Sequence, residues 1–198
     1  MSENSGLAET PLDRRRARTR AALLKAFNDL VLSTGWDHFS AADVAVRADV
    51  GRSTLYEHFQ GKEAMLAEAM RPLLSVLAEA GGAAPAALRL DFVVAHFWEQ
   101  RRFARLLLAT GAWAAILREL ARHVEARLSR ECAQTPGGPT LSRPAAAALI
   151  ARAQLGLLED WLVGHHHASV ETLTRAMRAT TNALIEALNG DSASVDIS

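Results

Sequence analysis

Apolar residues recur every three or four positions along most of the chain, and this period predicts an all-α fold of about nine helices. Leu23, Leu24, Phe27, Leu30 and Val31 mark a helix over Ala21 to Thr34, stopped by Gly35, with Trp36 and Phe39 closing a small core behind it. Ser40 is a side-chain cap for a short helix whose third residue, Asp43, suits an N-terminal turn. Val44, Ala45 and Ala48 form its apolar stripe. A second short helix begins near Gly51 and buries Leu55 and Phe59. Its other side carries Arg52, Ser53, Thr54, Tyr56 and His58, a row of hydrogen-bond donors. Two short helices joined by a tight turn make a helix-turn-helix. A fourth helix runs from Lys62 through Met65, Leu66 and Ala69 to Leu77. Pro72 inside it predicts either a kink or the start of a new helix.

Gly81 to Pro85 reads as a linker. Beyond it the period predicts helices over Ala86 to Gln100, with Leu88, Phe92, Ala95 and Trp98 on one face, over Arg101 to Ala109, and over Trp113 to Glu131. A Pro-Gly-Gly-Pro loop spans Ala133 to Pro144, and Ser142 is a candidate cap for the next helix. The last two helices, Ala145 to Val163 and Val170 to Leu188, are the most continuously apolar. Such a pair cannot bury both of its apolar faces alone, and pairing with a second copy makes a four-helix bundle. That places Leu155, Leu158, Leu162, Leu173, Met177 and Leu184 in a homodimer interface. The organisation expected is a disordered lead over 1–13, a DNA-binding head over 14–61, a larger helical domain over 62–190 and a disordered tail over 191–198.

Composition changes this picture only locally. The chain has 198 residues, 49% apolar and 22% charged, with formal net charge zero. Between Arg14 and Lys62, however, nine basic residues face five acidic ones, a local excess of four. A basic face of this kind is the electrostatic footprint of phosphate binding. Within it, Arg14, Arg15, Arg16, Arg18 and Arg20 are either a solvated helix face or a basic arm crossing the phosphates beside a major-groove helix. Cys132, the single cysteine, excludes an intramolecular disulfide and is read as a small hydrophobe. No signal-peptide run or long charge-free apolar stretch stands out, so the expected location is the cytoplasm, away from the membrane. No nucleophile, base and orienting acid form a recognisable set, so no catalytic residue and no cofactor are expected.

The run GWDHFSAADVAVRADVGRSTLYEHFQGKEAML, Gly35 to Leu66, resembles the N-terminal DNA-binding domain of the tetracycline-repressor-like (TetR) family of bacterial transcriptional regulators. The resemblance covers about Thr19 to Met70; beyond it only the helix plan is shared. It implies that Ser40 and Lys62 hold phosphates, that Arg52, Ser53 and Thr54 face the major groove, and that Tyr56 and His58 contact backbone or base. Hydroxyls and lysines near helix starts suit phosphates, and arginine suits guanine O6 and N7. Two residues depart from the family pattern: Asp49 where glycine is frequent in the turn, and Glu57 where an aromatic is frequent. Glu57 either points away from phosphate or accepts from cytosine N4.

The resemblance also implies a homodimer on a palindromic double-stranded operator, released by a small apolar or aromatic effector. The aromatic-rich middle is then either core or a ligand pocket formed by Phe92, His96, Trp98, Phe103 and Trp113. His165, His166 and His167 are consecutive and do not converge on a helix, so they are expected to be no metal site. A rival reading keeps the same scaffold without a ligand, as a DNA-organising or protein-interaction module.

Overall fold

Helix starts follow local capping chemistry in the computed structural model, which describes residues 10–81, 84–131 and 141–189. Thr10 and Asp13 form a reciprocal capping box with Pro11 at the first helical position, so α1 runs over Pro11–Thr34. The basic arm is thereby wound into the first turns of α1, and residues 10–13 are ordered rather than part of a lead. Residues 1–9, Cys132 and the tail over 191–198 lie outside the described residues.

Gly35 ends α1 at φ +86°, and a 3-10 turn follows at Trp36–His38. Ser40 and Asp43 form a second capping box and start α2, Ala41–Arg47. Asp49 occupies the turn at φ +54°, a left-handed conformation that aspartate tolerates better than most residues. The Val50 N–H donates to the Ala45 carbonyl at 3.0 Å across that turn, and α3 follows at Arg52–His58.

The chain divides into two compact units, residues 1–65 and 66–198. In the first, Leu23, Phe27 and Val31 of α1 pack with Val44 and Ala45 of α2 and Leu55 of α3. Phe27, Trp36 and Phe39 meet edge to face, with centroids 5.9 to 6.4 Å apart.

The remaining helices are α4 Lys62–Ala78, α5 Ala84–Glu99, α6 Arg101–Leu108, α7 Ala112–Glu131, α8 Arg143–Val163 and α9 Val170–Asn189. Among the described residues there is no strand. In the second unit α7 packs along α8, α8 along α9, and α9 along α5. The carbonyls ending α4, which have no partner within the helix, are met by side chains. Gln154 of α8 donates to the Leu77 carbonyl at 3.1 Å, and Arg127 of α7 donates to that of Ala78 at 2.9 Å. Gly81 follows because a Cβ there would lie 2.7 Å from Asn182 Oδ1 and 3.1 Å from Thr181 Cγ2 of α9.

Two expectations about this unit change. The buried stripe of α5 is Leu90, Val93, Val94 and Phe97, not the face of Phe92 and Trp98. Both faces have helical spacing, and the neighbouring helices select between them. Leu155, Leu158, Leu162, Leu173 and Met177 are buried inside the chain's own core, and Leu184 is half-buried. As the core of one chain, the first five have no surface left for a partner. The pair buries its inner faces against α5 and α7 of the same chain.

Candidate nucleic-acid interface

The exposed side of α3 carries Arg52, Ser53, Tyr56 and Glu57, with Thr54 and His58 half-buried at its edges. Leu55, buried on the opposite side, fixes which side faces out. Seven residues span barely two turns, so these side chains form one compact patch. Arg14, Arg15, Arg16 and Arg18 are exposed on the first turns of α1. The first turns of α1 carry the charge that the sequence alone left as either arm or helix face.

Three predicted or basic residues behave differently from a solvent-facing cation or donor. Ser40 donates its hydroxyl hydrogen to Asp43 Oδ2 at 2.7 Å and its backbone N–H to the same oxygen at 2.8 Å. These bonds hold the Asp43 carboxyl below its usual range, the backbone one first. A hydroxyl has one hydrogen, so Ser40 has none left for a phosphate while the capping box is closed. The Lys62 ammonium turns inward, onto the Trp36 carbonyl at 2.8 Å and the Phe39 carbonyl at 3.2 Å. Arg20 also turns inward. Its Nη1 donates to the His58 carbonyl at 3.3 Å, at the C-terminal end of α3, and its guanidinium lies 4.4 Å from the centre of the Phe59 ring. The sequence signal for Arg20 was only its charge; its partner lies 38 positions away.

In the second unit the residues expected around a ligand do not share one environment. Phe92 is 77% exposed and His96 is exposed, while Phe103 and Trp113 are half-buried. Trp98 stacks on Trp161 at 4.7 Å, with the Arg101 guanidinium 5.0 Å from its ring centre. Two clefts in this unit are polar and lined by none of those five residues. One, of about 400 Å³, lies between α5 and α9 and includes Asp91, Thr174, Arg178 and Asn182. The other, of about 270 Å³, includes Ser75, Glu79 and Arg89. His123 Nε2 sits 3.3 Å from Glu119 Oε1 without hydrogen-bond geometry, and burial pushes the imidazole below its ordinary value against the pull of Glu119. His165 is exposed and lies 3.2 Å from Asp160. Among the described residues no group of three His, Cys, Asp or Glu side chains is placed to hold a metal ion, and no helix is long and apolar enough to cross a membrane.

Comparison with known proteins agrees with this geometry. Residues 23–69 match the sequence profile of "Bacterial regulatory proteins, tetR family". The structure resembles a TetR transcriptional regulator from Streptococcus agalactiae 2603V, with 25% identity over 86% of this chain and 97% of that one, at a TM-score of 0.54. It shares its fold with Salmonella enterica GusR, with 20% identity over 91% and 98% of the two chains and a TM-score of 0.50. The same holds for SmeT in complex with triclosan, with 18% identity over 90% and 95% and a TM-score of 0.50. No curated protein sequence matches the chain.

Proposed function

We propose that the chain is a member of the tetR family of bacterial regulatory proteins, whose profile its residues 23–69 match, and that it is a homodimeric cytoplasmic repressor, released from a palindromic operator by a small molecule. The observation that carries the reading is the exposed side of α3, with Arg52, Ser53 and Tyr56 outward and Thr54 at its edge, together with the exposed arginines on the first turns of α1. Arg52 is the residue to grip a guanine edge, Ser53 and Thr54 the adjacent donors, and Tyr56 and His58 the contacts to backbone or base. Arg14, Arg15, Arg16 and Arg18 then lie along phosphates, which contribute affinity and no sequence.

Two such patches grip one operator only when their helices sit ~34–36 Å apart, one turn of the duplex. An effector that binds better to a dimer of different spacing lowers operator affinity by its differential affinity for the two states. SmeT, a protein of the same fold, holds triclosan, and this precedent supports an effector step. The dimer surface we assign is the outer face of α8 and α9. Leu149 and Val163 are 40% and 48% exposed there, Gly156 has open space around it, and Ala179, Ala183 and Ala187 are exposed on α9.

The experiment is selection of bound duplexes from a random pool by the purified protein. A palindrome with half-sites one helical turn apart supports the reading. Binding without sequence preference would replace it with the DNA-organising alternative.

A further inference from the structure

Lys62 is the first residue of α4 and sits where the family resemblance implies a phosphate contact, yet its ammonium is committed elsewhere. Two of its three N–H groups are directed at carbonyls, those of Trp36 at 2.8 Å and Phe39 at 3.2 Å. These two carbonyls bracket the 3-10 turn between α1 and α2. The nitrogen also lies 4.5 Å from the centre of the Trp36 ring and 5.3 Å from that of Phe39, and both rings are buried with Phe27. A cation held over two ring faces and two carbonyl dipoles is in a negative pocket of the protein's own making. While both carbonyl bonds are kept, only its third N–H is left for a phosphate.

We infer that Lys62 is a positioning residue, which fixes the start of α4 to the turn before α2 and so sets the pose of the helix-turn-helix. Phe39 immediately precedes Ser40, the cap of α2, so its carbonyl fixes the direction in which the chain enters α2. That helix leads through the Asp49 turn into α3. The same side chain therefore joins the first turn of α4 to the elements that present Arg52. The first compact unit reaches to Met65, which places that first turn with the head.

The inference rests on the DNA-binding reading, and its test separates the two. Lys62→Met keeps an apolar stem and removes both the charge and the donors; Lys62→Gln removes the charge and keeps a donor. Each is compared with wild type for binding to the selected operator and to a scrambled duplex across a salt series. In parallel, 19F spectra of 5-fluorotryptophan-labelled protein are recorded, with the Trp36 line assigned by Trp36→Phe. A positioning role predicts a moved Trp36 line and an operator-to-scramble ratio lowered roughly tenfold in Lys62→Met, about what one misaligned base contact is worth. It also predicts an unchanged salt slope and a ratio for Lys62→Gln between the two. A slope lowered by about one in both variants, with the ratio intact, would assign Lys62 to a phosphate and overturn the proposal. A moved Trp36 line with ratio and slope both intact would leave only a framework role and overturn it equally. If Lys62→Met does not fold, the slope and ratio of Lys62→Gln decide. A wild-type chain that selects no sequence removes the DNA-binding premise, and the proposal falls with it.

Discussion

Replacing Leu173 by aspartate and Leu149 by glutamate separates a leucine spent on the chain's own core from one available to a partner. Leu173 is 2% exposed within a single chain, beside Met177 and the buried face of α8. Its loss removes ~1.5–3 kcal/mol of burial. A carboxylate at the same place costs several kcal/mol more, whether it is desolvated as an ion or neutralised by a proton. The total approaches the ~5–15 kcal/mol that holds a domain together, so Leu173→Asp is expected to unfold the second unit. Leu149 is 40% exposed, and its change should cost a lone chain only the buried share of a leucine, ~1–2 kcal/mol. In a two-fold interface the substitution occurs on both sides. Only the exposed two fifths of Leu149 is left for a partner to bury, so losing ~0.6–1.2 kcal/mol on each side raises the dimer Kd by roughly 10- to 60-fold. Sedimentation velocity with far-ultraviolet circular dichroism reads both results: a folded monomer for Leu149→Glu, a loss of helix for Leu173→Asp. A folded Leu173→Asp monomer alongside a dimeric Leu149→Glu would refute the reasoning, because it would put the interface on a residue that one chain already buries.

Three further outcomes are expected. Arg52→Ala should lower operator affinity by ~1–3 kcal/mol and relax specificity at one base position in a competition assay; a variant as tight and selective as wild type removes Arg52 from the reading patch. Gly81→Ala should destabilise the second unit by ~1–3 kcal/mol in denaturant titration, since its methyl would press on buried Thr181; an unchanged midpoint would mean α9 yields freely. His123 is held below its ordinary value of 6.5 by burial, so the unfolded chain takes up its proton first. Its stabilising share is present above pH 6.5 and is lost as pH falls from there through the folded value. His123→Asn should therefore flatten the decline of the thermal midpoint below pH 6.5, and parallel curves for the two proteins would contradict the assignment.

The head was the most legible part because its signals are local. The Ser40–Asp43 box spans four residues and the turn depends on one residue, Asp49, in a left-handed conformation, whereas the Thr10–Asp13 box, equally short, fell in the stretch expected to be a disordered lead. Long cationic side chains are a different matter. Charge and spacing put Lys62 and Arg20 on the DNA side, but the acceptors that hold them are 23 to 38 positions away and are created only by the fold. The period of α8 and α9 announced that a face is buried and left open against what. On α5, Phe92 and Phe97 are equally apolar in the sequence, and tertiary neighbours bury one and expose the other.

The course of α4 is set by how its ends are held. Its first residue is bonded to the turn before α2, and its last carbonyls receive Gln154 and Arg127 within the second unit. Both sets of bonds are charge-assisted or buried, and breaking either strands polar groups away from water. Between them the helix is continuous through Pro72, which is exposed and has no N–H to offer the Glu68 carbonyl. Neither a fresh helix start nor a break occurs there; one rung of the ladder is missing from an otherwise regular rod. Bending costs least where a bond is already absent.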